Sequence, residues 1–320
     1  MTSFPPPGAV YKLIAENVRS VLRGKEKLVR HAVTALFAEG HLLVEDVPGV
    51  GKTTLARCLA RSVGGSWNRI QFTPDLLPGD ITGVPVYHQK EERFEFHPGG
   101  VFANVVVADE INRGTPKTQS ALLEVMAERT VTVDAVRHEV PRPFLVVATQ
   151  NPIEMAGTYR LPEAQLDRFL MRLDVGYPDL ASEVEVIMGD CTGFGPDDLA
   201  PVVDIETVRR AIGQVRAVHV APALCEYAAR LAGATRAHAD LRYGASPRGS
   251  IALIRAGQAY AATDGRTYVT VDDVKDIAQA VLAHRLILTS DAELNGLDPA
   301  GVVAEVLKAT PAPVSVGPRA

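Results

Sequence analysis

The segment Asp46-Val47-Pro48-Gly49-Val50-Gly51-Lys52-Thr53 sets two glycines, a lysine and a hydroxyl in close succession. Gly49 and Gly51 let the backbone curl so that its N–H groups converge on an anion, and a helix starting here adds its positive end. Lys52 supplies a mobile point charge and Thr53 a hydroxyl suited to Mg²⁺. Pro48, Val50 and Thr54 complete the loop and its exit. Asp46 stands where the strict phosphate-loop pattern has glycine, and a Gly/Pro turn that happens to contain Gly-Lys-Thr is the plain alternative for this segment alone. A second segment changes the balance. In Val105-Val106-Val107-Ala108-Asp109-Glu110 a hydrophobic run ends in two carboxylates. Asp109 can hold Mg²⁺, and Glu110 can polarise an attacking water as a general base. A solvated strand end is the bland reading of that pair, weakened by the phosphate loop ahead of it.

These groups need elements to hold them. The apolar run at 41–45 reads as a buried strand leading into the loop, and residues 53–63 read as the helix leaving it. Further buried strands are expected at 101–108, 143–149 and 171–175, with helices at 117–129 and 166–170. Ahead of them, Val10, Leu13, Ile14, Val18, Val21 and Leu22 share one helical face, and a second helix covers 26–39. Buried strands alternating with helices imply a parallel sheet covered on both faces. Its strands' carboxyl ends would carry Thr53, Asp109 and Glu110 to one rim, where open α/β sheets bind ligands. Two stretches break the alternation, 84–87 with 93–96 and 130–133 with 136–140, and both read as inserted β-hairpins. After Tyr177-Pro178 the texture turns Ala-rich with helical periodicity at 182–190, 204–217, 223–236, 247–262, 270–283 and about 299–308. The expected organisation is a mobile lead at 1–9, an α/β nucleotide-binding domain at 10–177, an all-helical lid domain at 182–308 and a disordered tail at 309–320.

Composition sets the limits. The chain has 320 residues, 47% hydrophobic and 22% charged, enough for roughly two domains. A net charge of −5 does not demand nucleic acid as a partner. Cys58, Cys191 and Cys225 are far apart and form no CxxC pair, so neither a metal knuckle nor a disulfide framework is expected. No apolar run approaches the length of a membrane span, and the first residues lack the charged and apolar regions of a secretory signal. The expectation is a cytoplasmic protein.

Taken together, the motifs resemble those of AAA+ ATPases, and within them the MoxR family. The resemblance is carried by Val44 to Thr53, Ala108-Asp109-Glu110-Ile111-Asn112-Arg113, Gln119 to Glu124, Ala148-Thr149-Gln150-Asn151-Pro152, Leu161 to Phe169, and Gly244-Ala245-Ser246-Pro247-Arg248, in the family's order. MoxR-like loops often carry a non-glycine residue where Asp46 stands. The resemblance implies a P-loop α/β core with inserted hairpins, a helical lid, and ATP with Mg²⁺ as the working ligands. It further implies that Asn151 is sensor 1, Arg168 an arginine finger acting on a neighbour's site, and Arg248 sensor 2 at the start of a lid helix. On residues alone, Asn151-Pro152 is equally a turn, Arg168 equally a surface arginine, and Arg160 and Arg113 rival it for contacts in trans. A cation at a helix N-terminus, as at Arg248, is disfavoured by the helix dipole, which tilts that position toward function. The implied working unit is a homo-oligomeric ring, hexameric by analogy, that remodels or activates client proteins, often with a von Willebrand factor A domain partner. The hairpins would face the ring pore or the partner, or on loop chemistry alone equally be ordinary decoration of the sheet. A nucleotide-regulated scaffold with negligible turnover, a nucleic-acid motor and a small-molecule kinase are the rival functions. Glu110 and Arg168 speak against the first, the acidic charge against the second, and the lid with its polar set against the third.

Overall fold

The computed structural model describes residues 4–45, 51–151 and 158–313. Helices α1 (Pro7–Arg19) and α2 (Glu26–Phe37) precede strand β1 (Leu42–Glu45). Helix α3 (Lys52–Ser62), strand β2 (Trp67–Gln71), the short helix α4 (Pro78–Thr82) and the hairpin β3 (Val84–His88) with β4 (Arg93–His97) follow. Then come β5 (Val105–Asp109), helix α5 (Pro116–Glu128), the hairpin β6 (Thr130–Val133) with β7 (Val136–Glu139), β8 (Leu145–Gln150), α6 (Glu163–Leu166) and β9 (Met171–Leu173). Beyond β9 the chain is almost wholly helical. It comprises α7 (Leu180–Thr192), α8 (Ile205–Arg216), α9 (Pro222–Arg236), α10 (Pro247–Thr263), α11 (Val271–Leu282), α12 (Ser290–Leu294) and α13 (Pro299–Ala309), plus a short antiparallel pair, β10 (Leu241–Tyr243) and β11 (Ile287–Leu288).

The main sheet is parallel, in the order β2-β5-β8-β1-β9 among the described residues. Its strands are apolar on both faces, as a doubly covered sheet requires. Leu42, Val44, Val105, Val107, Leu145 and Val147 enter one core with α1, α2, α3 and the helices after β9. Leu43, Val106, Ala108, Val146 and Ala148, their neighbours in sequence, enter a second core with α5. This period-2 split of one hydrophobic run between two cores is the strand's own geometry. The fold is therefore an α/β P-loop core with two inserted hairpins and a helical lid.

Several expectations change in detail, among them the helix expected at 166–170, which forms earlier, at Glu163–Leu166. The sequence predicts no strand at β2, an edge strand in which Ile70 alone is buried, because its residues, Trp-Asn-Arg-Ile-Gln, carry no apolar run. The strand expected at 101–108 forms only from Val105 onward. Leu13, expected on the inner face of α1, is 42% exposed. The expected hairpins are both present, and they pack on one another: Phe96 of β4 stacks on His138 of β7 with ring centres 3.8 Å apart. Parts of the expected lead and tail fall outside the described residues. No helix among the described residues is long and apolar enough to cross a membrane.

Candidate nucleotide site

Pro48, Gly49 and Val50 lie outside the described residues, so the phosphate loop is seen from Gly51 onward. Gly51 has φ +95°, a left-handed conformation at the N-cap of α3 that a side chain would strain. Its carbonyl accepts the first helical hydrogen bond, from Leu55 N at 3.0 Å. Lys52, Thr53 and Thr54 form the first turn of α3 and are half-buried, at the end where helix N–H groups lack internal partners. Gly51 and Thr54 border an open cleft of about 740 Å³, lined also by Ser20, Leu22, Lys25 and by Val186 and Met188 of α7. That volume suits a nucleotide-sized ligand.

The register of the sheet decides what meets at its carboxyl rim. Gln71 lies opposite Asp109 in the β2–β5 ladder, and Ala108 opposite Ala148 in the β5–β8 ladder, which sets Thr149 beside Asp109. Asp109 is gripped from both strands: Thr149 Oγ1 donates to Oδ1 at 2.5 Å, and Arg69 Nη2 and Nε donate to Oδ2 at 2.6 and 3.1 Å. Glu110 leaves the strand at φ +54°, a conformation uncommon for a non-glycine residue, with its N–H donating to Thr149 Oγ1 at 3.0 Å. Its Oε2 accepts from Gln71 Nε2 and from Arg113 Nη1, each at 2.9 Å. Both carboxylates thus stand at one rim, each already paired with a cation. Glu45, at the end of β1, accepts from Gln150 and pairs with Arg172 at 3.2 Å. Asn151 follows β8 directly and is buried.

The arginines divide. Arg113 turns inward to its own Glu110, and Arg160 is exposed. Arg168 is half-buried and donates to the carbonyl of Leu123. Arg248 is exposed in the first turn of α10, where its N–H donates to Ser246 Oγ at 3.1 Å. Arg168 and Arg248 line one cleft, of about 440 Å³, together with Arg129, Arg255 and Arg285. Gly51 and Thr54 line another. Within one chain the structure therefore brings Arg168 and Arg248 together and brings neither to the cavity at Gly51.

Asp109 and Thr53 offer the hard oxygen donors that Mg²⁺ prefers, and the glycine-opened helix end suits phosphate, so the residues fit both groups. Arg69, Gln71 and Thr149 complete the rim, and the sequence reading gave none of them a role. The signal that could have found β2 is positional: a βαβ unit needs a strand after α3.

Comparison with known proteins places this geometry. Residues 41–171 match the family model described as ATPase family associated with various cellular activities (AAA), and residues 233–306 match the AAA lid domain. The chain is 46% identical to the uncharacterized protein YeaC of Bacillus subtilis (strain 168), over 93% of each chain. It is 41% identical to Chaperone MoxR1 of Mycobacterium tuberculosis, over 96% of this chain and 86% of that protein. A crystal structure from Cytophaga hutchinsonii, described as a "putative ATPase", superposes with a TM-score of 0.90 at 36% identity, over 96% of each chain.

Proposed function

Because this chain belongs to the MoxR family of AAA+ ATPases, we propose that it hydrolyses ATP as one protomer of a closed ring and spends the energy on remodelling client proteins. The observation that carries the reading is the meeting of Asp109 and Glu110 at the carboxyl rim of a sheet whose first strand leads into Gly51 and Lys52. Lys52 and the first turn of α3 bind and orient the phosphates. Thr53 and Asp109 would hold Mg²⁺, which would neutralise charge on the phosphoryl oxygens. Glu110 accepts a proton from the attacking water, and Asn151 orients that water. Arg168 and Arg248 face the neighbouring protomer's phosphates and stabilise the charge that develops there. A group acting in trans makes the ring part of the active site, hence a cyclic assembly, hexameric by analogy with the family. The AAA lid match and the name Chaperone MoxR1 support a remodelling role. The exposed aromatics Tyr87 and Phe94, tilted against one another with ring centres 5.1 Å apart on the first hairpin, are a natural contact for client proteins or for a von Willebrand factor A domain partner.

The deciding measurement is phosphate release from ATP and Mg²⁺ across protein concentration, wild type against Glu110→Gln. The expected result is a specific activity that rises with concentration, and a variant that binds ATP but turns over about a hundredfold more slowly or worse. Equal, negligible turnover in both would favour the second reading, a nucleotide-regulated scaffold. One observation speaks for that second reading: Asp109 and Glu110 are both held by arginines in this conformation.

A further inference from the structure

Asp167 and Ser246 occupy related places in the two arginine-bearing segments: Asp167 immediately precedes Arg168, and Ser246 caps the helix that carries Arg248. Their side chains meet. Ser246 Oγ donates its proton to Asp167 Oδ2 at 2.8 Å, and the same oxygen accepts the Arg248 N–H at 3.1 Å. Asp167 Oδ1 accepts from Arg285 Nε at 2.7 Å. Arg285 has a side chain only 3% exposed, and it also donates to the carbonyls of Asp167, Phe169 and Leu170 at 3.3, 2.6 and 3.3 Å. One guanidinium from the lid thus stitches down the backbone on both sides of Arg168, while one carboxylate reaches across to the cap of α10.

An ion pair so deeply buried adds little net stability over a well-packed apolar pair, because desolvation offsets the attraction. What it does fix is geometry. We propose that Asp167 is a positioning residue that yokes Arg168 to Arg248, so that the two guanidinium groups reach a neighbouring protomer's phosphates at a set spacing. The inference rests on the reading of Arg168 as a group acting in trans. Neither Asp167 nor Ser246 touches substrate; both act through the arginines beside them. Lid position and finger position become one variable, and a lid that shifts carries Arg168 with it.

Asp167→Asn alone strands a buried guanidinium and can unfold the junction, so the sharper variant is Ser246→Asp. Aspartate caps a helix as well as serine does, yet it sets a carboxylate against Asp167 and breaks the link. In the full chain, Ser246→Asp is expected to lower kcat for ATP about tenfold to a hundredfold, as small misplacements of charged groups do, with KM unchanged and the melting temperature lowered by only a few degrees. Combining it with Asp167→Asn keeps one carboxylate at the junction to balance Arg285, restores a hydrogen bond, the amide donating to the new carboxylate, and returns most of the lost kcat. Arg168→Ala is expected to cost less in the Ser246→Asp background than in wild type, because the finger is already misplaced. Assembly driven by ADP, Mg²⁺ and aluminium fluoride, followed by sedimentation, gives the same comparison without turnover. Wild-type kcat and assembly in Ser246→Asp, alongside loss of both in Arg168→Ala, would overturn the yoke. So would full multiplication of the two effects. Wild-type behaviour in Arg168→Ala would instead sink the reading of Arg168 itself, and this inference with it.

Discussion

In the proposed hydrolysis the chemistry turns on Glu110, and its carboxylate is held by neighbouring side chains. Gln71 and Arg113 each donate to the same carboxylate oxygen, and Gln71 is itself fixed by Arg69 Nη2 at 2.8 Å. A carboxylate oxygen engaged by two donors points where those donors hold it and has less of its lone-pair capacity open to a water. Gln71→Ala removes one donor without touching the phosphate loop. Its basal phosphate release should rise about fivefold, the kinetic equivalent of roughly 1 kcal/mol for one side-chain hydrogen bond. A fall in turnover would mean that Gln71 aligns Glu110 for attack rather than restraining it. Lys52, Thr53, Asp109 and Glu110 are legible in the sequence because their chemistry lies in contiguous motifs. Gln71 and Arg69 are not, because their meaning comes from register with a strand about forty positions away.

At the scale of the element, the buried strands could be read from composition and the polar edge strand could not. β5 and β8 have apolar residues on both faces and so read as continuous hydrophobic runs, whereas β2 buries Ile70 and leaves its other positions to the rim and solvent. The turn after β5 illustrates how such elements hold a site. Gly114 follows the short 3-10 turn Ile111–Arg113, and a Cβ there would lie 2.4 Å from the ring of Phe72, a side chain with no exposure. Phe72 N in turn donates to the Asp109 carbonyl at 2.9 Å, so the ring cannot retreat without pulling on the acid-bearing strand. Gly114→Ala should therefore cost about 1–3 kcal/mol as an overpacked core does. It should also move Arg113 away from Glu110. Urea unfolding gives the first quantity and basal phosphate release the second. Unchanged stability would mean that the loop yields more readily than this packing implies.

Across the whole molecule, the sheet and the lid share a core. The cluster that holds Leu42, Val107 and Val147 continues without a break through α1 and α2 into α8, α10 and α11, so α2 packs on the lid helix α10 as well as on its own strands. Glu39, just past α2, pairs with Arg129 at 2.8 Å and with Arg216 of α8, adding a polar tie along the same seam. The sequence shows a change of texture after Tyr177 but carries no sign of this shared core, since each helix announces only that it has an apolar face. Within the core, His31 of α2 sits beside Tyr260 of α10, ring centres 6.1 Å apart. Burial, with Lys27 and Arg30 nearby, lowers its pKa to about 4. Burial likewise lowers His41 to about 4, and it lowers His284 well below the usual range. In the unfolded chain these rings take up protons near pH 6.5, whereas His31 and His41 do so in the folded protein only near pH 4. Between those values the unfolded state binds more protons. Stability is therefore full above about pH 6.5 and falls as pH drops toward 4, by up to about 3 kcal/mol for each ring. His31→Leu keeps the packing against Tyr260 and removes one of those protons. Urea midpoints measured from pH 7 to 4.5 should decline less steeply in this variant than in wild type, and the two curves should converge or cross as pH falls. Parallel curves would show that His31 takes up its proton alike in the folded and unfolded states, its folded pKa not lowered. The seam between sheet and lid would then owe none of its acid sensitivity to that ring.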